Sequence, residues 1–295
     1  MKFDFSKVKV LVIGDFMIDH YIIGTSNRVS PEAPVPVVLP QKEYSIPGGA
    51  GNVAMNLRSI GANVSCSGIV GDDLWGKKLL SILNDKGINT DGINIIKNHP
   101  TTLKKRIYSD GKQVVRLDTE DIKEFPTFVD NIANYDICIL SDYNKGIIKN
   151  AKFDSNLIIV DPKKEDFSVY KNANIITPNL NELSKATDVN IGDDKSIVDA
   201  CKNLIEECNF NYIVAKKGDR GMTIVGRKNY VKHIHAKKVT NPDVTGAGDT
   251  VIAVLSVVFA QTKDIELSAK IANNAAGSVV EKSGTACVNI EDLEK

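Results

Sequence analysis

Short, continuously apolar segments rich in β-branched residues alternate with helical patterns along this chain. The apolar segments span residues 8–13, 136–140, 157–160, 175–177 and 212–215. Strands that are apolar on both faces are buried on both faces, and strands separated by helices pair in parallel. The sequence therefore predicts an α/β fold with three α/β/α layers around a mostly parallel central sheet.

The helical patterns that separate or follow these strands span residues 51–60, 73–86, 179–187, 195–207, 246–260 and 265–282. Residues 34–44 instead alternate proline with valine, which favours an edge strand. Residues 101–108 and 113–119 alternate as two strands joined by the turn signal Ser109-Asp110-Gly111-Lys112, which predicts a hairpin. We expect one domain over residues 1–295, with a small β lid formed by residues of about 20–46 and 98–120.

The charge balance and the apolar segments exclude several classes of partner. The chain has 295 residues with 37 basic and 37 acidic side chains, so no global field favours nucleic acid or an anionic membrane. The longest strongly apolar run, 251–260, is far shorter than the roughly 20 residues of a membrane span. Five scattered cysteines and a charged start without a signal peptide predict free thiols and a cytoplasmic location.

The strongest local signal is the octapeptide Asp-Val-Thr-Gly-Ala-Gly-Asp-Thr at 243–250, directly before an apolar helix. Small residues at a helix start leave backbone N–H groups accessible to a phosphate. Asp249 lies in the same turn, where a carboxylate suits a base that deprotonates a hydroxyl during phosphoryl transfer. The alternative is an ordinary capping aspartate.

Three further segments carry polar groups suited to ligands. Asp15 and Asp19 follow the first strand, where carboxylates can accept hydrogen bonds from sugar hydroxyls. A glycine-rich segment with Gly48, Gly49 and Asn52 lets the backbone approach a ligand, although it also fits a plain turn before a helix. Asn179 and Glu182, three residues apart at a helix start, suit either water-clad Mg²⁺ or a capping box.

These segments occur together and in an order that resembles the PfkB/ribokinase-like carbohydrate kinases over essentially the whole chain. The resemblance implies that Asp249 is the catalytic base and that Gly246, Ala247 and Gly248 form the anion hole. It further implies ATP and Mg²⁺ as cofactors, with K⁺ as a possible third. The residues implied on the nucleotide side are Asn179, Lys217, Gly218, Gly221, Thr245 and Asn273 for ATP, Asn179 and Glu182 for Mg²⁺, and Asp243 and Thr245 for a monovalent cation.

Within this family the segments 14–19, 26–37, 101–106, 141–146 and 161–163 are similar to the heptose-7-phosphate kinases, the kinase half of bifunctional ADP-heptose synthases. The resemblance implies phosphorylation of the anomeric hydroxyl of D-glycero-D-manno-heptose 7-phosphate to the 1,7-bisphosphate. No nucleotidyltransferase domain follows before Lys295, so we expect either a free-standing kinase or a piece of a bifunctional protein, and residues 1–295 do not carry out adenylylation. The residues expected to bind the sugar phosphate are Asp15, Asp19, Arg28, Gly48, Gly49, Asn52, Lys104, Arg106, Arg116, Asp142, Lys145 and Lys163.

Several alternatives stay open at this point. Another sugar phosphate, such as a hexose phosphate, would use the same chemistry. A nicotinamide-dependent oxidoreductase is disfavoured because the turn after the first strand, residues 14–19, lacks G-x-G-x-x-G. A non-catalytic sensor on a kinase scaffold is disfavoured by Asp249 with its glycines. Because exposed lid edges invite pairing with another chain, we expect a homodimer through the lid strands.

Overall fold

A nine-stranded sheet forms the centre of the molecule in a computed structural model that describes residues 2–125, 132–149, 157–237, 239–240, 242–281 and 286–293. Its strands are β1 (Lys9–Gly14), β4 (Asn63–Gly71), β5 (Asn89–Ile96), β8 (Ile137–Ser141), β9 (Ile158–Asp161), β10 (Ile175–Ile176), β11 (Tyr212–Lys216), β12 (Met222–Gly226) and β13 (Tyr230–Ile234). They lie in the order β13-β12-β11-β10-β9-β8-β1-β4-β5. All neighbours are parallel except at β11–β12 and β12–β13, which are antiparallel.

Helices cover both faces of this sheet. They are α1 (Ala50–Ser59), α2 (Leu74–Asp85), α3 (Leu180–Thr187), α4 (Asp194–Cys208), α5 (Ala247–Thr262) and α6 (Ile265–Val280). Along β1, Val10 and Val12 join one apolar cluster with α1, α2, α5 and α6, whereas Leu11 and Ile13 join another with α3 and α4. Because successive strand residues point to opposite faces, each apolar strand fills two cores. The predicted three-layer fold is confirmed.

A second sheet of four strands contains β2 (Phe16–Thr25), β3 (Leu39–Gly49), β6 (Thr102–Ser109) and β7 (Lys112–Thr119), in the order β3-β2-β6-β7. The hairpin turn between β6 and β7 has two central residues, Asp110 (φ 51°) and Gly111 (φ 78°). Positive φ at both positions fits the twist of a two-residue hairpin. β3 and β7 are the edges of this sheet, and every residue of β7 is exposed.

The edge strand expected at 34–44 is wrong in position, because β3 begins only at Leu39. Prolines upstream restrict the chain to isolated contacts, such as the bridge between Val29 and Pro36. Strand β2 overlaps the start of the predicted lid, but no separate strand was expected there because its polar residues Asp19 and His20 interrupt the apolar pattern. No helix among the described residues is long and apolar enough to cross a membrane.

Candidate active site

The carboxyl ends of several parallel strands meet at one edge of the large sheet. Gly14 of β1 is in register with Ser141 of β8, which is in register with Asp161 at the end of β9. β11 ends at Lys216, whose backbone forms a parallel bridge with Asn179 at the start of α3. Open α/β sheets bind ligands at this edge. Polar residues from distant parts of the chain therefore converge where a ligand is expected.

Helix α5 begins at the same edge. Gly246 is its N-cap, with a φ of 78° that glycine adopts without strain. The amide of Ala247 donates to the carbonyl of Val244 at 3.2 Å, and the amide of Thr250 donates back to Gly246 at 3.0 Å. The first turn of a helix leaves its N–H groups without intrahelical partners. The amide of Ala247 is thus already used in the turn, and an anion hole formed by Gly246, Ala247 and Gly248 stays a prediction.

The carboxyl group of Asp249 lies in this first turn and is held by two donors. Asp249 is only 5% exposed. Its Oδ1 accepts a hydrogen bond from the hydroxyl of Tyr143 at 2.6 Å, and its Oδ2 accepts one from Nδ2 of Asn52 at 2.7 Å. Burial raises the pKa of Asp249 to about 7, although the bonds from Tyr143 and Asn52 lower it. A carboxyl group that titrates near neutral pH is suited to accept a proton from a substrate hydroxyl.

Asn52 is itself oriented by its neighbours on α1. Asn56 Nδ2 donates to the backbone carbonyl of Asn52 at 2.9 Å and to its Oδ1 at 3.2 Å, which turns Nδ2 of Asn52 toward Asp249. The Oδ1 of Asn56 accepts from Thr250 Oγ1 at 3.2 Å and from the amide of Val288 at 3.1 Å. Helices α1 and α5 are thereby joined behind Asp249, and the carboxylate is fixed in direction.

Asp15 organises the loop that carries Tyr143. Its Oδ2 accepts from the amides of Tyr143 at 2.8 Å and Lys145 at 3.1 Å, whereas its buried Oδ1 has no partner among the described residues. Burial, together with the charge of Asp142, raises the pKa of Asp15 to about 6. The carboxyl group of Asp142 accepts from the hydroxyl of Tyr170 at 2.6 Å. Both aspartates therefore make structural hydrogen bonds, and direct contact with a sugar stays a prediction for each.

Asp161 and Lys216 form an ion pair beside the start of α5. Lys216 Nζ lies 2.5 Å from Asp161 Oδ1, which also accepts from Thr177 Oγ1 at 3.0 Å. A Cβ atom added at Gly248 would lie 3.4 Å from Lys216 Nζ and 3.9 Å from Asp161 Oδ2. Burial lowers the pKa of Lys216, but Asp161, Glu182 and Asp249 together hold it above its ordinary value. The lysine is therefore charged beside the glycine of the predicted anion hole.

The second sheet contributes Asp19 and Arg106 on neighbouring strands. Arg106 lies 2.5 Å from Asp19 Oδ1, and its guanidinium lies 5.4 Å from the ring centre of Tyr21, which stacks on Tyr44. A Cβ atom at Gly48 would lie 2.5 Å from Asp19 Oδ2. A side chain at this position would therefore displace the carboxylate of Asp19. Gly49 has a φ of 57°, which also favours glycine.

The remaining basic residues expected at the sugar phosphate occupy four different places. Lys104 and Arg116 both bind Asp118 on the second sheet, at 3.2 and 2.9 Å. Lys145 binds Glu120 at 2.6 Å. Arg28 is exposed and precedes β3. Lys163 binds Glu182 at 3.2 Å, which associates it with the residues expected near Mg²⁺ rather than with the second sheet.

Asn179 and Glu182 form a capping box at the start of α3. Asn179 Oδ1 accepts from the amide of Glu182 at 2.9 Å, and Glu182 Oε2 accepts from the amide of Asn179 at 2.8 Å. The alternative left open by the sequence is therefore realised. It leaves Glu182 Oε1 shared only with Lys163 among the described residues, so a metal role for the pair stays a prediction.

The other residues expected near a nucleotide lie after β11 and near α6. Lys217 Nζ binds Asp194 at 2.9 Å, and its amide donates to the carbonyl of Gly221 at 2.7 Å. Gly218 and Gly221 have φ values of 62° and 86°. Asn273 Nδ2 donates to the carbonyl of His235 at 3.0 Å. The amide of Thr245 donates to Asp243 Oδ1 at 3.1 Å.

Comparison with known proteins identifies this constellation. The model of the pfkB family carbohydrate kinases matches residues 7–292. This chain belongs to the pfkB family of carbohydrate kinases. Residues 243–250, with Asp249, lie inside the matched range, and the role of Asp249 as catalytic base stays a prediction.

Individual relatives and solved structures are also similar to this chain, and the structures show its fold. The chain is 38% identical to the bifunctional protein HldE of Sulfurimonas denitrificans over 305 aligned positions, covering 97% of this pfkB chain and 64% of that protein. A ribokinase from Thermotoga maritima superimposes with a TM-score of 0.76 at 21% identity, covering 97% and 98% of the two chains. Arabidopsis thaliana ribokinase complexed with ribose and ATP gives 0.75 at 19% identity, covering 97% of each chain.

The pfkB site contains three functional candidates that sequence reasoning did not assign. Tyr143, Asp161 and Lys216 each follow or end a buried strand, and only the parallel register brings them to Asp249 and Gly248. Asp161 and Lys216 directly follow an apolar run in the sequence, and Tyr143 lies three residues after the end of one. Because the partners are separated by tens of residues, the hydrogen bond of Tyr143 and the ion pair of Lys216 had no local signature.

Proposed function

We propose that this chain transfers the γ-phosphoryl group of ATP to the anomeric hydroxyl of D-glycero-D-manno-heptose 7-phosphate, giving the 1,7-bisphosphate used to make ADP-heptose, a lipopolysaccharide precursor. The observation that carries the proposal is the carboxyl group of Asp249 at the first turn of α5, held by Tyr143 and Asn52 at 2.6 and 2.7 Å. An acid whose pKa is about 7 lies beside helix amides that suit an anion. Proton acceptor and phosphoryl cradle thus occupy one turn.

The chemistry follows from that arrangement. The anomeric oxygen forms a bond to the γ-phosphorus, while the bond between that phosphorus and the β–γ bridging oxygen breaks and ADP departs with the electron pair. The proton of the hydroxyl passes to the carboxylate of Asp249. Backbone amides at the start of α5 stabilise the charge on the transferring group. Asp19 and Asn52 are proposed to orient the sugar.

The donors at the start of α3 fit Mg²⁺ held through water. Mg²⁺ prefers oxygen ligands, keeps several waters and needs only one or two carboxylates besides phosphate. Glu182 and Asn179 supply such oxygens, and the described part of the chain holds no cluster of three or more His, Cys, Asp or Glu side chains that would form a closed metal site. When bound, the ion would neutralise phosphate charge. Asp243 and Thr245 are proposed for K⁺.

The heptose assignment rests on the similarity to HldE and on the basic residues of the second sheet. Among the described residues, Lys104, Arg106 and Arg116 form ion pairs there with two carboxylates, those of Asp19 and Asp118. A phosphorylated sugar needs cations that a plain sugar does not. Hexose phosphates are the alternative substrates, because the same cations would bind them.

A substrate panel tests this assignment. Purified protein would be supplied with ATP, Mg²⁺ and one acceptor at a time: the heptose 7-phosphate, the unphosphorylated heptose, fructose 6-phosphate, or ribose. We expect the highest kcat/KM for the heptose 7-phosphate, with the new phosphate at the anomeric carbon by phosphorus NMR. Equal or better turnover of ribose or the hexose phosphate would contradict the assignment.

A substitution at Arg106 tests the distal phosphate separately. Arg106→Met should raise the KM for heptose 7-phosphate about 10-fold or more, because a charge-assisted hydrogen bond is lost. The KM for the unphosphorylated heptose should rise much less. Lys112→Met, which removes an exposed lysine from the hairpin, is the control. Equal losses for both sugars would contradict a phosphate contact.

The same lid is proposed to form a homodimer in the cytoplasm. Its edge strands expose Leu39, Val114, Val115 and Leu117, which are 40–53% accessible. Exposed apolar edges favour pairing with a second chain. Light scattering at micromolar concentration should give twice the monomer mass, and a monomer would contradict this.

A further inference from the structure

Lys216 lies between the two groups of residues that the kinase chemistry requires. Its amide donates to the carbonyl of Pro178 at 2.8 Å, and its backbone bridges to Asn179 at the start of α3. Its Nζ would lie 3.4 Å from a Cβ atom at Gly248, on the first turn of α5. The side chain therefore reaches from the proposed Mg²⁺ side of the site to the phosphoryl cradle.

Neighbouring side chains enclose this ammonium group and hold it in place. The side chain is only 15% exposed, and its partner Asp161 is 14% exposed. Asp161 Oδ1 is itself fixed by Thr177 Oγ1 at 3.0 Å. Glu182 and Asp249 also act on the charge of Lys216. A lysine that is mostly enclosed and faces three carboxylates keeps its positive charge at this point of the site.

The hydrogen-bonding capacity of Lys216 is only partly used. An ammonium group has three N–H donors. Among the described residues, Asp161 is the one carboxylate within bonding distance of Nζ. The missing side chain of Gly248 leaves space directly beside Nζ. An anion in the cradle would thus meet donors that the free protein does not satisfy.

We propose that Lys216 is a catalytic residue that binds the γ-phosphoryl group of ATP, with Asp161 holding its ammonium in place. The inference rests on the proposed kinase function, because it places the phosphoryl group at the start of α5. On binding ATP, Lys216 keeps one N–H on Asp161 and directs the others to γ-phosphate oxygens. It stabilises the negative charge that those oxygens carry through the transfer.

Nucleotide binding tests the contact without any sugar. Isothermal titration would compare ADP with a non-hydrolysable ATP analogue, each with Mg²⁺. Lys216→Met should lower the affinity for the ATP analogue about 10-fold or more, because only the analogue has a γ-phosphate. The affinity for ADP should stay within about threefold of the wild-type value. Lys185→Met removes an exposed lysine that pairs with Glu165, and it should change neither affinity. Equal weakening of both nucleotides, or of neither, would overturn the proposal.

A double variant separates a phosphate contact from simple charge balance. Lys216→Met alone leaves Asp161 as an enclosed carboxylate without its cation, which can prevent folding. Lys216→Met with Asp161→Asn removes both charges and keeps similar side-chain volumes. The proposal predicts that the double variant folds and still binds the ATP analogue about 10-fold more weakly than the wild-type protein does. Recovery of wild-type affinity for the analogue would show that the lysine only neutralises Asp161, and would overturn the proposal.

Turnover then distinguishes this inference from the substrate assignment. With whichever sugar the wild-type protein phosphorylates, kcat of the double variant should fall by about 100-fold or more, since an electrostatic contact to the transferring group is lost. The KM for that sugar should stay within about threefold. If heptose 7-phosphate is not a substrate, the nucleotide titrations still decide the role of Lys216.

Discussion

Removing the hydroxyl of Tyr143 should shift the pH at which this kinase becomes active. That hydroxyl donates to Asp249 Oδ1 at 2.6 Å and stabilises the ionised carboxylate. A hydrogen bond to a charged group contributes about 1.5–3 kcal/mol, and one pKa unit corresponds to about 1.4 kcal/mol. Tyr143→Phe should therefore raise the pKa of Asp249 from about 7 by roughly one to two units.

The sign of the effect on activity follows from the role of Asp249. A base must be ionised, so kcat/KM should fall as the pH drops below about 7 in the wild-type protein. In Tyr143→Phe the same fall should begin at a higher pH, while turnover well above the shifted pKa should be largely recovered. The assay is a pH profile of ADP release from about pH 5.5 to about pH 9.5.

A matched substitution controls for general effects. Tyr230 on β13 also has a carboxylate nearby, that of Glu266, which helps to raise the pKa of its hydroxyl, but it lies on an edge strand. Tyr230→Phe should leave the profile unchanged. Two results would refute the view that Tyr143 sets the ionisation of Asp249. One is a fall of kcat/KM at low pH that occurs at the same pH in Tyr143→Phe as in the wild-type protein. The other is an equal loss of kcat/KM at all pH values.

Two further outcomes follow from the same geometry. Gly48→Ala should raise the KM for the sugar about 10-fold or more while the KM for ATP stays constant, because the added Cβ would lie 2.5 Å from Asp19 Oδ2. Gly277→Ala is the control, since a Cβ at Gly277 meets no atom within 4 Å. An unchanged KM for the sugar in Gly48→Ala would contradict a role for Asp19. Asp249→Asn should raise the melting temperature by several degrees at about pH 8, since a carboxyl group whose pKa is raised from 3.8 to about 7 by burial destabilises the fold above that pH. The gain should vanish as the pH falls toward about 4, and a gain independent of pH would contradict burial as its cause.

The sequence was sufficient to predict the layers of the fold, because strands such as β1 and β8 are apolar on both faces and are therefore stable only when helices cover both faces. It was less informative about the second sheet. β2 combines buried Ile18 with Asp19 and His20, so its pattern is not that of a strand with one apolar face. Tertiary contacts with β3 and β6, rather than local preference, determine this strand.

The candidate site was predictable where its chemistry is local. Asp249 and the glycines before it lie in one turn, so a short segment carries both the proposed base and the proposed anion hole. Tyr143 and Lys216 are more than thirty residues from Asp249 in the chain, and their roles arise from strand register. Asp15 illustrates a third case: a residue expected to touch the sugar makes its clearest contacts with loop amides.

The turnover of Asp249→Asn tests the central claim most directly. Asparagine keeps the size of the side chain and can remain near Asn52, but it cannot accept the proton. With a non-hydrolysable ATP analogue bound as in the wild-type protein, kcat should fall by about 100-fold or more. A variant that binds nucleotide normally and turns over within about threefold of wild type would contradict a catalytic base at the start of α5.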